Sequence, residues 1–190
     1  SLTHHLLHAG ARVSAIEIDE GSLEHMQRHF IEEIESEKLT LFAGDALTVK
    51  WPENIDAIVA NIPYQISSPL LERMQREVRA KPAVLLVQDE FADRMAMAIP
   101  PLDRGPLGLS LWLDYDIEMG RRVPPSCFSP QPKVTSRLIR LEPINRLVSL
   151  NSDIDRRMFR QVTSQCFGDR RRKLRNLLKR APRRLSRISG

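Results

Sequence analysis

This sequence predicts an α/β fold, a mostly parallel sheet with an antiparallel edge followed by a small basic helical domain. Three observations predict it. Short apolar or β-branched runs alternate with helix-like stretches over residues 11–88, a longer alternating run follows at 107–119, and from Ser152 onward the apolar spacing becomes helical. Strands that alternate with helices imply crossover connections and parallel pairing.

The first two runs, ARVSAIEID (11–19) and KLTLFAGD (38–45), have strand length and strand composition. Between them, residues 22–36 set Leu23, Met26, Phe30, Ile31 and Ile34 on one side, as a helix packed on a sheet would. Two more strands are expected over IDAIVAN (55–61) and AVLLVQ (83–88). The helix between them, 68–79, turns Leu70, Leu71, Met74 and Val78 inward; Ser67 or Ser68 suits its N-cap and Pro69 its first turn. PPLDRGP reads as a loop. LGLSLWLDYDIEM (107–119) alternates Leu109, Leu111, Leu113, Tyr115 and Ile117 on one face and is expected to be one long half-buried strand. VTSRLIRLEP, after the proline-rich VPPSCFSPQPK, reads as its antiparallel neighbour. Ser152 with Asp155 resembles a capping box, and Ile154, Met158, Phe159, Val162 and Cys166 form an apolar stripe. RRRKLRNLLKR then sets Leu174, Leu177 and Leu178 against a basic face. A boundary near 145–151 gives an α/β domain over 1–147 and a helical domain over 148–190.

Composition narrows the function classes. The longest apolar run, AVLLV at 83–87, is far short of the roughly 18 residues a membrane span needs. A soluble cytoplasmic protein with no membrane partner is expected. Cys127 and Cys166 lie far apart without a CxxC, so neither a disulfide framework nor a zinc cluster is suggested. The net charge of +5 is unevenly spread: residues 169–190 carry +9 and the remainder −4. A clustered arginine-rich face neutralises phosphates, although charge alone also fits a solvated helix or tail.

Ligands of an open parallel sheet sit at the C-terminal ends of its strands. Three of the expected strands end in Glu17, Asp45 and Asn61. A carboxylate at one strand end can accept from two ribose hydroxyls, and an Asp at the next from the amine of adenine. Together they suggest an adenosine-containing cofactor; singly, each also reads as an ordinary turn residue. The NIPY turn, 61–64, is more specific. Pro63 fixes its own φ and keeps Ile62 out of helix, so the neighbouring carbonyls are expected to point into the cleft. The Asn61 side-chain oxygen and one such carbonyl can then accept both hydrogens of a primary amine while Tyr64 stacks on the ring that bears it. An Asn-x-Pro turn with Tyr64 merely packed is the alternative.

Six segments occur in an order that resembles the ribosomal RNA small-subunit adenine dimethyltransferases, the family of the kasugamycin-sensitivity methyltransferase: AIEID, GDAL, NIPYQISSPLL, VQDEFADRM, VPPSCFSPQPKVTSRLIRL and FGDRRRKLRNLL. The resemblance implies a Rossmann-like methyltransferase sheet and S-adenosylmethionine as cofactor. It implies that Glu17, with Ile18, holds the ribose and Asp45, with Ala46, the adenine of that cofactor. Asn61, Ile62, Pro63 and Tyr64 would receive the target adenine, with Asn61 also beside the cofactor, and Phe128 would be the second aromatic on the flipped base. Arg170, Arg171, Arg172, Lys173 and Arg175 would meet RNA phosphates without reading bases. The implied activity is methylation of the exocyclic amine of two adjacent adenines in small-subunit rRNA, in a pre-ribosomal particle, by a monomer that needs no metal. The methyl of a sulfonium is already activated, so the protein's task is to place the amine in line and to enrich its lone pair by gripping its hydrogens. The base must leave its stack, which favours an unpaired adenine.

The family's first strand and E-x-G-x-G loop have no counterpart before SLTHHLL, and a chain that starts downstream of them is expected, leaving two neighbouring strands exposed. Residues 98–106 and the stretch after Lys179 also differ from the family. Two rival readings use the same scaffold: a large-subunit adenine methyltransferase of the macrolide-resistance type, which RRRKLRNLL disfavours, and a non-catalytic ribosome-assembly factor, which the intact Asn61, Pro63 and Tyr64 disfavour. Methylation of DNA adenine or of a protein glutamine fits Ile62 less well. The histidine pairs His4/His8 and His25/His29 lack an HExxH-type carboxylate and read as surface residues. Asp89, Glu90 and Asp93 read as a helix N-terminus, Ser126 and Cys127 lack a local histidine, and Met95 and Met97 read as packing.

Overall fold

The computed structural model describes residues 1–78, 81–96, 105–144, 146, 153–168 and 176. The chain forms two compact units that divide between Ile55 and Asp56.

The first unit contains α1 (Leu2–His8), β1 (Val13–Glu17), α2 (Glu20–His29), α3 (Ile31–Glu35) and β2 (Leu39–Ala43). β1 and β2 pair in parallel from Val13↔Leu39 to Glu17↔Ala43. Val13, Phe30 and Leu39 make a small core, against which Leu6, Leu7, Met26, Ile34 and Leu41 pack. The single helix expected over 22–36 is two helices. Phe30 sits between them at φ −122° and ψ 38°, outside the helical range, with its ring buried in that core. The break rotates α3 relative to α2, so Ile31, expected inside, is 53% exposed. Asp19 caps α2 by accepting the Ser22 N–H at 2.7 Å, and that bond holds its carboxyl below the ordinary aspartate range.

The second unit contains β3 (Ile58–Asn61), α4 (Ser67–Glu77), β4 (Ala83–Gln88), α5 (Asp89–Ala96), α6 (Pro106–Asp114), β5 (Tyr115–Val123), β6 (Ser136–Pro143) and α7 (Asp153–Phe167). Its strand order is β3-β4-β6-β5; β3 and β4 are parallel and β6 runs antiparallel to both neighbours, which gives the expected antiparallel edge. Among the described residues β1 pairs only with β2, and β3 only with β4. Ala83, Leu85, Val87, Ile139 and Leu141 are buried on one sheet face, where α5 packs on β4, β5 and β6. Truncating Leu85 or Leu141 to alanine would cost about 2–5 kcal/mol.

The long strand expected over 107–119 is instead α6 followed by β5. Pro106 starts the helix at its first position, and Gly108, Ser110, Leu111, Leu113 and Asp114 are all buried, so an element apolar nearly all round mimicked two-residue alternation. The predicted serine cap of α4 is also replaced. A 3-10 turn, Tyr64–Ile66, runs into the helix, Ile66 takes the cap position, and the buried Ser67 hydroxyl donates back to the Pro63 carbonyl at 3.4 Å. Leu70, Leu71, Met74 and Val78 are buried as expected.

A polar network joins α4, α6 and α7. Gln75 Nε2 donates to Asp114 at 3.1 Å, Ser110 Oγ donates to Gln75 at 3.0 Å, and Arg156 pairs with Asp114. All four residues are buried. α7 thus belongs to the second unit, its inward face carrying Arg156 and Thr163 while the expected stripe of Met158, Phe159, Val162 and Cys166 is half-buried. The expected boundary at 147–148, Ser152, the Ile154 side chain and the leucines of RRRKLRNLLKR lie outside the described residues.

Candidate active site

In the first unit, Glu17 and Asp45 stand at the C-terminal ends of adjacent parallel strands. Glu17 Oε1 accepts the amides of Ile18 at 2.8 Å and Asp19 at 2.9 Å, which folds the carboxylate over its own turn and leaves Oε2 for a ligand. Asp45 Oδ1 accepts the Leu47 amide at 2.8 Å, an Asx turn that likewise leaves one oxygen free of those local bonds. Gly44 links the two ends: its N–H donates to the Glu17 carbonyl at 2.8 Å, and its φ of +144° strains any other residue. Ile18 is 66% exposed, and the Ala46 carbonyl accepts Trp51 Nε1 at 2.9 Å. Two carboxylates, each with an oxygen held by turn amides and another to spare, suit ribose hydroxyls and an aromatic amine, so the donor set fits an adenosine group.

In the second unit the chain leaves β3 at Asn61 and turns sharply. The Ile62 amide donates to Leu86 at 3.1 Å, and the Ile62 side chain is buried. Pro63 takes φ −56° and ψ 131°. Its carbonyl does not point outward as expected: it accepts the Ile66 amide at 3.1 Å and the Ser67 hydroxyl. That leaves the Ile62 carbonyl, which no backbone donor among the described residues reaches, and the Asn61 side chain, which is exposed and without a hydrogen-bond partner among them. Tyr64 is half-buried, and its hydroxyl lies 2.8 Å from Ser136 Oγ. That single hydrogen bond is worth about 1 kcal/mol. Phe128, half-buried, follows the 3-10 turn Pro125–Cys127 and donates its N–H to the Pro125 carbonyl at 3.1 Å.

Sequence reasoning missed Ser136 and a second role for Asp89. Asp89 does begin α5, but its carboxylate also pairs with Arg122 on β5 at 2.9 Å and Arg137 on β6 at 2.8 Å. No local signal marks either residue, because the partners lie far along the chain. Met95 is buried; Met97, together with Arg170, Arg171, Arg172, Lys173 and Arg175, lies outside the described residues. His4/His8 and His25/His29 form stacked pairs on α1 and α2, and no group of three or more metal-ligating side chains occurs among the described residues. No described helix is long and apolar enough to cross a membrane.

Known proteins resemble this chain in sequence and fold. A model for ribosomal RNA adenine dimethylases matches residues 1–186. A relative from Haloarcula marismortui, named a probable ribosomal RNA small subunit methyltransferase A, is 37% identical over all of this chain and 63% of its own length. A ribosomal RNA small subunit methyltransferase A from Gloeobacter violaceus is 38% identical over 94% of this chain and 65% of its own. A dimethyladenosine transferase crystal structure from Plasmodium falciparum superposes with a TM-score of 0.75 at 28% identity, over 93% of this chain and 62% of that one. The chain therefore spans just under two thirds of the length of these relatives. With the strand-end carboxylates, the NIPY turn and a match from Ser1 to residue 186 in agreement, this chain belongs to the ribosomal RNA adenine dimethylase family.

Proposed function

We propose that the full-length protein transfers methyl groups from S-adenosylmethionine to the exocyclic amine of two adjacent adenines in small-subunit rRNA, and so takes part in ribosome biogenesis. The observation that carries this reading is the end of β3, where the Asn61 amide and the Ile62 carbonyl, neither engaged among the described residues, adjoin an anchored Tyr64. Two acceptors side by side grip both hydrogens of an adenine amine, return electron density to its nitrogen and hold it in one direction. Tyr64 and Phe128 stack on the extruded base, each worth about 1–3 kcal/mol. Glu17 with Ile18 holds the cofactor's ribose, and Asp45 with Ala46 its adenine. When bound, S-adenosylmethionine supplies a methyl group already activated by its sulfonium. The basic segment 148–190, with Arg170, Arg171, Arg172, Lys173 and Arg175, meets RNA phosphates of the pre-ribosomal small subunit. The protein works as a cytoplasmic monomer without a metal.

The test is methyl incorporation from labelled S-adenosylmethionine into purified small and large ribosomal subunits. Label in the small subunit alone is expected. Label confined to the large subunit refutes the substrate assignment, and stable binding to pre-ribosomal particles without any incorporation refutes catalysis.

A further inference from the structure

Tyr64 and Phe128 stand on separate segments, and Ser136 joins those segments. Phe128 rides on a loop, residues 124–135, whose two ends are paired: Val123, the last residue of β5, is the register partner of Ser136, the first residue of β6. On its other side Ser136 pairs with Gln88 of β4. Ser136 is fully buried at this neck, and its hydroxyl lies 2.8 Å from that of Tyr64. Asp89 braces the same neck from α5. Its N–H donates to the Thr135 carbonyl at 3.0 Å, and its carboxylate reaches Arg122 just before Val123 and Arg137 just after Ser136. A hydroxyl fixed between two strands is a stiff anchor, whereas a tyrosine ring on a short turn is otherwise free to tilt about its side-chain bonds.

We propose that Ser136 is a positioning residue for methyl transfer: its hydrogen bond sets the tilt of the Tyr64 ring relative to the neck of the Phe128 loop, so that the aromatic pair accepts one flat purine. The proposal rests on the reading of the Asn61–Tyr64 turn as the target site. Ser136 then governs how productively the base is held, and leaves cofactor affinity alone.

The experiment compares S136A, Y64F and the double variant in the full-length protein, with small subunits as substrate. S136A is expected to lower kcat about tenfold, the share of a barrier that one ordinary hydrogen bond commands, with KM for S-adenosylmethionine unchanged. Y64F is expected to lose as much, and the double variant no more than either single one. A kcat for S136A equal to that of the parent, or losses that multiply in the double variant, overturns the proposal. A second readout needs no turnover. In spectra of tyrosine-ring-labelled protein, where Y64F identifies the Tyr64 signals, S136A is expected to shift and average them; unchanged signals overturn the coupling. If the parent itself methylates nothing, the proposed function fails, and the ring signals still decide whether Ser136 holds Tyr64.

Discussion

At the ends of β1 and β2 the polar side chains are held by their immediate neighbours in sequence: Glu17 by the amides of Ile18 and Asp19, Asp45 by that of Leu47. At the end of β3 the holding contacts come from far away, with Ile62 tied to Leu86 and Tyr64 to Ser136, 72 residues on. Hydrogen bonds within a turn form as soon as the turn forms. Bonds across a sheet exist only once the strands are in register, so a defect anywhere in the second unit's packing reaches the Asn61–Tyr64 turn, whereas the carboxylate turns tolerate it.

The hardest blow to the long-range arrangement is Asp114→Ala. It strands the buried Arg156 and Gln75 between α4, α6 and α7, and is expected to cost about 3–5 kcal/mol in urea unfolding. A loss below about 1 kcal/mol would mean that the second unit does not depend on that network. Next is Asn61→Ala, which leaves the backbone in place but removes one of the two proposed amine acceptors. By analogy with the loss of one positioned polar group elsewhere, kcat should fall about 10²–10³-fold, far more than the cofactor's KM changes. Labelled rRNA accumulating at the parental rate would remove Asn61 from the chemistry.

Glu17→Gln sharpens the other side of the comparison. The amide oxygen can still accept from Ile18 and Asp19, so the turn persists while the negative charge is lost; the cofactor's KM should rise about tenfold and kcat should hardly change. Equal effects on both parameters would place Glu17 nearer the reacting atoms. The smallest effect is expected from Asp19→Ala at the start of α2. The Ser22 amide lowers the carboxyl's pKa, so its stabilisation is fully present above the ordinary aspartate value of about 3.8 and is lost as pH falls through the folded value. The gap between parent and variant melting temperatures should therefore narrow in acid; a gap that widens would reverse the sign.

Much of this was legible in the sequence because it is local. The edges of β4 follow directly from AVLLVQ, the inward face of α4 from the spacing of its apolar residues, and the strand-end positions of Glu17, Asp45 and Asn61 from the turns beyond them. The errors arose where one pattern admitted two structures. Leu109, Leu111 and Leu113 alternate, yet Leu107 and Leu111 are also one helical turn apart, and only the neighbours that bury Ser110 and Asp114 choose the helix. The pairing of β6 with β5 is the expected one; that β6 also pairs with β4 carries no mark in either strand.

By itself, then, the sequence determined the alternation of strands and helices, the polar residues at three strand ends and the rigid Asn61–Tyr64 turn, since backbone sterics and adjacent hydrogen bonds act over a few residues. Tertiary structure alone decided which carbonyl of that turn is taken up by Ile66 and Ser67, that Phe30 would break a helix to enter a core, and that Ser136 would meet Tyr64. Those outcomes depend on burial and strand register between distant segments, for which no short-range periodicity codes.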